Sequence, residues 1–246
     1  MEFLTLYWWR LLASIVVSYL IGSFSFAVIF SKMSKEGKDV REMGSGNAGF
    51  TNVLRTVGVG PAILTFIFDW LKGVLAILIT IAIFRMQVDN ADISALSDGL
   101  QKEYLTYGKY LSGLFCIVGH CFPVFFGFRG GKGITTTAGV LLLFDWRVLA
   151  FTFAIWLVFF LATKIISVGA LSASVNIIIF NFIVKYFWEY QPSLGTDAEL
   201  RLNYVWVTTA IMFVFGTLIV VMHRENIKRL IKGEEKKITV KKKTEK

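Results

Sequence analysis

Residues 134–163, ITTTAGVLLLFDWRVLAFTFAIWLVFFLAT, form an apolar run of thirty residues whose middle is interrupted by the charged triplet Asp145-Trp146-Arg147. The run is either one long helix or two shorter helices that turn at the triplet. About 20 apolar residues suffice to cross the roughly 30 Å hydrocarbon layer of a membrane. The choice between one helix and two therefore sets how many times the chain crosses a membrane.

The composition places the whole chain in the membrane class. Of its 246 residues, 55% are hydrophobic, 15% aromatic and only 17% charged, and the mean hydropathy is +0.63. Soluble domains rarely combine so little charge with so much aromatic content. The net charge of +9 could suit nucleic acid, but the basic residues follow membrane sides instead, so no nucleic-acid partner is expected. Cys116 and Cys121 lie five residues apart in an apolar run, which predicts neither a disulfide nor a zinc site.

The distribution of basic residues favours two helices in the interrupted run. The other apolar runs cover about 7–31, 61–84, 110–128, 167–187 and 204–222. With seven spans, eighteen of the 26 Lys and Arg residues fall on one side of the membrane and seven on the other. Six spans would put the basic tail opposite the first loop and remove this bias. The positive-inside rule then places the N-terminus outside and the C-terminus in the cytoplasm.

The predicted fold is therefore an all-α membrane protein with seven transmembrane helices. As a helix, residues 134–144 would cover only about 16 Å, so this span must begin earlier, near Gly130, or be sheltered by its neighbours. Residues 85–107 and 188–203 are expected to be outer connectors. We expect one membrane domain over residues 1–231 and a lysine-rich, disordered cytoplasmic tail over 232–246 that is attracted to anionic lipid.

The first inner loop carries the stretch GSGNAGFTNVLR, residues 44–55. Its glycines permit tight turns, and successive exposed N–H groups in such a turn form a concave anion site. The segment after Gly49 is predicted to be helical, which adds its free N-terminal N–H groups. Arg55 can grip a phosphate with two hydrogen bonds. Glycine-rich turns are often only turns, so this stretch alone decides nothing.

Three further inner segments offer phosphate-binding chemistry under the same topology. These segments are 128–133 with the threonines that follow it, 164–167, and 223–229. The sequence Gly130-Gly131-Lys132-Gly133 lacks the nucleotide P-loop spacing. It is either a tight turn with a topogenic lysine or an anion site. A helix that opens directly after it favours the anion site.

Several charged residues and histidines lie in or beside the predicted spans, and each has a structural or a functional interpretation. Asp69 and Lys72, at i and i+3, share a helix face and can pair, either as a structural pair or as groups that shape the site. His120 is expected to be a packed, hydrogen-bonded histidine. His223 lies at the inner surface with Asn226 on the same helix face, which suits substrate contact better. The sequence holds neither a Gly-x-Ser-x-Gly elbow nor a metal-ligand cluster.

Together these residues resemble the bacterial integral-membrane acyl-phosphate:glycerol-3-phosphate acyltransferases, the PlsY family. The resemblance covers nearly the whole chain; the outer loops and the lysine tail are longer here, and the match is looser around Ser167. The matching pieces are Ile21-Gly22-Ser23, Asp39-Val40-Arg41, Gly44 through Arg55, Asp69-x-x-Lys72-Gly73, Gly119-His120-x-x-Pro123, Gly130-Gly131-Lys132-Gly133 and His223-Arg224-x-Asn226-Ile227-x-Arg229.

The resemblance implies transfer of a fatty acyl group from acyl phosphate to the 1-hydroxyl of glycerol 3-phosphate, giving lysophosphatidic acid and phosphate. The catalytic residues it implies are Ser45, Arg55, Lys132, His223 and Asn226. The substrate-binding residues are Gly44, Gly46, Asn47, Thr51, Asn52, Gly130, Gly131, Gly133 and Ser167. We expect a monomeric, multi-pass enzyme of the bacterial cytoplasmic membrane. Its active site would face the cytoplasm, with membrane lipid as its surroundings and no cofactor or metal.

The implied chemistry suits the polar groups of the inner ends. Acyl phosphate is an activated mixed anhydride, so no covalent enzyme intermediate is required, and two polyanions need cationic and N–H compensation. No strong base is evident, and we hypothesise that a substrate phosphate takes the hydroxyl proton. The alternative function is an anion transporter with Arg55 and Lys132 along its pathway. That class predicts polar or broken helices at the midplane and an internal repeat, and the sequence shows neither.

Overall fold

The computed structural model describes residues 2–35, 37–86 and 96–237, and every regular element in these residues is a helix. The predicted all-α class is confirmed. The helices are α1 Glu2–Gly22, α2 Phe26–Met33, α3 Phe50–Thr56, α4 Val59–Arg85, α5 Asp98–Cys121, α6 Ile134–Phe144, α7 Trp146–Thr163, α8 Ile166–Ile183, α9 Leu202–Met222 and α10 Arg224–Ile231.

Six segments of the described chain are long and apolar enough to cross a membrane. They are Leu6–Met33, Val59–Arg85, Asp98–Phe126, Trp146–Thr163, Ile166–Ser193 and Leu202–Met222. Ile134–Phe144 is a shorter apolar helix in addition to these six. The protein is thus a multi-pass membrane protein built on apolar helices.

The interrupted run forms two helices that part at Asp145. Its carboxylate accepts a hydrogen bond of 3.0 Å from the backbone N–H of Arg147 and so caps the start of α7. Of the two alternatives for this short helix, the earlier start near Gly130 does not occur, because α6 begins at Ile134. Helix α6 is sheltered by its neighbour α4 instead. The two helices pack so closely at Gly139 that a Cβ there would lie 2.1 Å from the backbone oxygen of Trp70 in α4.

The first apolar run also divides, which the hydropathy pattern did not indicate. α1 ends at Gly22 and α2 begins at Phe26. The break exposes the backbone oxygen of Phe24, which accepts a hydrogen bond of 2.8 Å from Lys72 Nζ. The predicted Asp69–Lys72 pair is confirmed at 2.8 Å. The pair therefore satisfies backbone at a helix break inside the bundle.

Near the last turn of α5, His120 is a packed histidine, as predicted. The ring is buried, and its Nδ1 lies 3.3 Å from Thr136 Oγ1 and 3.6 Å from Asp69. A small apolar cluster that includes Val28, Val40 and Ala48 fastens the first inner loop to α2 and α4.

The segments expected to be outer connectors are partly helical. α5 already begins at Asp98, and α8 continues through a π-helical segment, Val184–Tyr190, and a turn, Gln191–Ser193. The expectation of simple connectors is therefore wrong for these parts. Residues 87–95 of the first connector and 238–246 of the predicted tail lie outside the described residues.

Candidate active site

Asn52 organises the first inner loop. Its Nδ2 donates to the backbone oxygens of Val40, Met43 and Asn47 at 2.9–3.1 Å, and its Oδ1 accepts 3.0 Å from the backbone N–H of Ser45. The side chain is only 3% exposed. Both polar groups of Asn52 are therefore used to hold the loop's own backbone.

Glycine is required on both sides of Ser45. Gly44 and Gly46 have φ values of +57° and +71°, in the left-handed region that disfavours other residues. A Cβ at Gly44 would lie 2.4 Å from Asn52 Oδ1. The amide of Gly46 donates to the backbone oxygen of Met43 at 3.0 Å. Because the amides of Ser45 and Gly46 bond within the loop, this turn presents the exposed Ser45 itself rather than a row of free N–H groups.

The predicted helix after Gly49 is α3, and it carries Thr51 and Arg55 one turn apart. Thr51 is half-buried and Arg55 exposed. Within the described residues Arg55 forms no ion pair. Its charge nevertheless acts on Lys132, whose pKa it helps to lower. Asn47 is half-buried and packs its amide near Gly49.

Arg41 clamps the first loop to the connector between α5 and α6. Its guanidinium pairs with Asp39 at 2.8 Å and donates to the backbone oxygens of Phe126 and Arg129 at 2.6 and 3.2 Å. Arg41 also holds the Asp39 pKa at about 2, mainly through their side-chain hydrogen bond. A Cβ at Gly131 would lie 2.4 Å from the backbone oxygen of Ala48, so the two segments touch directly.

The Gly-Gly-Lys-Gly turn uses its glycines for close packing. The amides of Gly130 and Gly131 donate to the backbone oxygens of Cys121 and His120 at 3.1 and 3.2 Å, so neither amide is free for a ligand. Gly133, at φ +82°, is the N-cap of α6. Lys132 is thus the group this turn offers.

Lys132 lies beside the Glu235 carboxylate, which also contacts α10 and the start of α8. Its ammonium donates to Asn226 Oδ1. Glu235 accepts hydrogen bonds from Asn226 Nδ2 at 2.6 Å, from Ser167 Oγ at 2.9 Å and from Arg229 Nε at 2.6 Å. Residues remote in sequence therefore form a cage of donors with an anionic group at its centre.

His223 lies at the edge of this cage, buried and neutral. Its Nδ1 is 2.8 Å from the backbone oxygen of Ile219. A carbonyl only accepts, so Nδ1 carries the proton and Nε2 is left as an acceptor. Burial, and then the nearby charge of Lys132, lower the His223 pKa to about 4. At neutral pH the ring can accept a hydrogen bond but carries no charge.

The electrostatics of Lys132 reflect the same enclosure. Burial is the main cause that lowers its pKa to about 8, Arg229 and Arg55 contribute, and Glu235 opposes them. Removal of the carboxylate would leave three cations close together. The positive charges of the cage therefore require an anionic group beside them, and Glu235 supplies it here.

The structure joins some of the expected site residues directly and does not join others. Lys132, Ser167 and Asn226 are linked to one another or to Glu235 by hydrogen bonds, whereas Ser45 and Thr51 form none with them in the described chain. Glu235 was not among the site residues expected from the sequence, and it lies in the segment expected to be disordered. Gly233, at φ +70°, turns that segment back, and the amide of Glu234 donates to Arg229 O at 2.8 Å. The only sequence signals were the glycine and two adjacent acids.

No group of three or more His, Cys, Asp or Glu residues has metal-binding proximity in the described part of the chain. Hydroxyl, amide, ammonium and guanidinium groups dominate the site instead. Such groups bind phosphate esters and stabilise negative charge that develops on oxygen.

Comparisons with known proteins agree with this chemistry. The sequence model of the family described as "Glycerol-3-phosphate acyltransferase" matches residues 12–233. Glycerol-3-phosphate acyltransferase from Aquifex aeolicus is 34% identical over 221 residues, which cover 90% of this chain and 95% of the relative. The Shouchella clausii protein of the same name is 37% identical over 235 residues, covering 93% and 96%.

Solved structures match at the level of the fold as well. The crystal structure of PlsY, an integral membrane glycerol 3-phosphate acyltransferase, in its glycerol 3-phosphate form has a TM-score of 0.69 and 32% identity. It covers 93% of this chain and 96% of that one. Its lysophosphatidic acid form has a TM-score of 0.67 and 31% identity, with coverage of 93% and 95%.

Proposed function

This chain belongs to the glycerol-3-phosphate acyltransferase family, and we propose that its acyl donor is an acyl phosphate. It is an integral membrane enzyme of phospholipid synthesis that acylates glycerol 3-phosphate. In our proposal the fatty acyl group goes to the 1-hydroxyl, and the products are lysophosphatidic acid and inorganic phosphate. The catalytic residues are Ser45, Arg55, Lys132, His223 and Asn226.

The position of Glu235 carries the proposal for the site. Its carboxylate receives donors from Ser167, Asn226 and Arg229 and lies beside Lys132. A substrate phosphate is also an oxyanion, carries more charge and accepts more hydrogen bonds. Phosphate therefore takes the place of Glu235 when substrate binds.

The two substrate anions divide the cage between them. Lys132, Arg55 and Asn226, with the hydroxyl of Ser45, hold glycerol 3-phosphate. Thr51 and Ser167 hold the acyl phosphate. The turns at Gly44, Gly46 and Asn47, supported by Asn52, and at Gly130, Gly131 and Gly133 shape the two inner walls.

The reaction then needs no enzyme-bound intermediate. The 1-hydroxyl oxygen attacks the acyl carbonyl carbon, an ester C–O bond forms, and the bond from that carbon to the bridging phosphate oxygen breaks. The electron pair leaves with the phosphate, which also takes the hydroxyl proton. His223 Nε2 accepts a hydrogen bond from the 2-hydroxyl of glycerol 3-phosphate and so orients the substrate, which leaves the proton of the 1-hydroxyl free to reach the phosphate. The nearby cations stabilise the charge on the leaving phosphate.

We further propose seven membrane crossings, with the N-terminus outside and the C-terminus and active site facing the cytoplasm of a bacterium. The separation of α6 from α7 at Asp145 and the eighteen inner basic residues support this arrangement. Residues 1–231 form the membrane domain, and the lysines of 232–246 are attracted to anionic lipid. We also propose that the enzyme is a monomer.

The donor is tested with purified protein supplied with glycerol 3-phosphate and either acyl phosphate or the acyl thioester of the same chain. We expect equal amounts of lysophosphatidic acid and released phosphate with acyl phosphate, and no ester with the thioester. Efficient turnover of the thioester without use of acyl phosphate would refute the proposed donor. In sealed vesicles of known orientation, impermeant glycerol 3-phosphate should react only at the cytoplasmic surface.

A further inference from the structure

A polar cavity of about 400 Å³ opens at the end of the helical bundle opposite to Lys132. Its walls come from the early turns of α5, the end of α6, the starts of α7 and α9, and the π-helical segment Val184–Tyr190 that follows α8. The ionisable residues that line it are Lys102, Lys109, Arg147, Lys185, Glu189 and Tyr204. α6 separates the two polar regions: Lys132 directly precedes its N-cap, whereas Phe144 at its last turn lines the cavity.

The paired charges around this cavity form one network. Arg147 contacts Asp145 at 2.6 Å and Glu189 at 3.0 Å. Lys185, only 2% exposed, contacts Glu189 at 2.7 Å. Lys102 at the rim reaches Glu189 at 3.1 Å. Both carboxylates of the network are therefore fully used by cations.

Lys109 is left over from this pairing. Its ammonium donates to the backbone oxygen of Leu143 at 3.1 Å and pairs with no carboxylate of the described chain. The cavity thus has four cations and two carboxylates, and Lys109 pairs with neither carboxylate. Lysine has three N–H donors, so Lys109 retains donors for a ligand. Buried cations are costly unless they are paired, and this imbalance favours an added anion.

The backbone beside the cavity points to function independently. Lys185 and Glu189 belong to the seven-residue π-helical segment Val184–Tyr190. π-Helical segments are rare and occur frequently at functional sites. A purely structural ion pair could be held by an ordinary α-helix.

We propose that this cavity binds a phosphate-bearing anion, at a site separate from the acyl-transfer site. Phosphate suits a cluster of ammonium and guanidinium donors, because its several oxygens accept charge-assisted hydrogen bonds from different directions. Trp188, about half exposed, lines the same cavity and stacks beside Arg147, so an amphipathic ligand would also find an aromatic contact. The phosphate belongs either to a small soluble anion or to the headgroup of an anionic lipid.

The soluble source is tested by calorimetric titration of lipid-depleted protein with inorganic phosphate. The parent protein carries Lys132→Met, which weakens the inner site, and the comparison adds Lys109→Met, which removes the unpaired cation at similar volume. We expect at least about tenfold weaker phosphate binding after the second change, since charge-assisted hydrogen bonds are lost. The added substitution Lys109→Arg should preserve binding, and Lys38→Met, an exposed loop change, should not affect it.

The lipid source is tested by native mass spectrometry of protein taken from phosphatidylglycerol or phosphatidylcholine nanodiscs. A retained phosphatidylglycerol that is lost with Lys109→Met identifies a headgroup, whereas loss of phosphate binding alone identifies a soluble anion. Lys102→Met, at a half-exposed rim position, should weaken the same binding severalfold and is available if Lys109→Met fails to fold. Unchanged phosphate and phosphatidylglycerol binding in the Lys102 and Lys109 variants would overturn the proposal. Acyl transfer by Lys109→Met without Lys132→Met should be retained.

Discussion

The ammonium of Lys132 donates to the side-chain oxygen of Asn226, 94 positions along the chain. This bond fixes the amide so that its nitrogen points to Glu235. We predict that Lys132→Met and Asn226→Ala each lower kcat/KM for glycerol 3-phosphate by about 10- to 100-fold. The double variant should lose less than the product of the two effects, because contacting residues couple. Steady-state kinetics of the three variants test this, and fully multiplicative losses would contradict it.

The pH dependence of the free enzyme should follow Lys132. Its pKa of about 8 lies below the usual lysine value because the group is buried. The cation is therefore present below pH 8 and is lost as the pH rises through that value. We predict that kcat/KM falls above pH 8, and that Lys132→Arg moves the fall to higher pH. If kcat/KM falls over the same pH range in both proteins, the fall does not arise from Lys132.

Glu235 should act as a tethered competitor of substrate phosphate. We predict that Glu235→Gln lowers the KM for one of the two substrates about three- to tenfold, since a neutral amide holds the donors less strongly than a carboxylate. The value of kcat should change little. Glu234→Gln is the matched control, because Glu234 is exposed and contacts the site only through its backbone. If the two substitutions change KM equally, Glu235 does not compete with the substrate phosphate.

His223 should contribute through orientation rather than proton removal. Its pKa of about 4 and its bond to Ile219 O leave a weakly basic acceptor. We predict that His223→Ala raises KM and lowers kcat by less than about 100-fold, below the usual contribution of a strong general base. A kcat loss of about 10⁴-fold at unchanged substrate affinity would instead identify the ring as the base.

Gly131 should be intolerant of any side chain. A Cβ there would lie 2.3 Å from His120 Nε2 and 2.4 Å from Ala48 O. We predict that Gly131→Ala lowers the apparent Tm, because overpacking costs about 1–3 kcal/mol. Gly60→Ala is the control, since Gly60 has open space around its Cβ position and lies in α4. Thermal scanning of both variants in one detergent compares them, and equal Tm values would contradict the packing argument.

Much of the helical architecture could be predicted from hydropathy and charge, because these set which segments enter lipid. The charged triplet that begins at Asp145 marked a helix boundary in the sequence, and in the structure this aspartate is the N-cap of α7. The break between Gly22 and Phe26 could not be predicted from hydropathy, because two serines, Ser23 and Ser25, are too few to interrupt the apolar run. The π-helical segment was hidden as well, since its composition does not differ from that of an α-helix.

The sequence indicated candidate residues for the site but not the contacts that they make. The glycines drew attention to the inner turns, yet three-dimensional packing decides that Gly130 and Gly131 use their amides internally. Asn52 could be expected to face a ligand, whereas it holds the loop's backbone. Glu235 could not be found, because its role depends on a turn that brings it back to Ser167.

The eleven-residue length of α6 has a consequence for insertions and deletions. Gly133 faces Ile117 at one end of the helix, Gly139 lies against Trp70 within it, and Asp145 is tied to Arg147 beyond the other end. One extra residue in the middle would rotate the later part by about 100°. A side chain would then meet the α4 backbone where Gly139 now fits. Homologous chains should therefore vary in the composition of this helix while keeping its residue count.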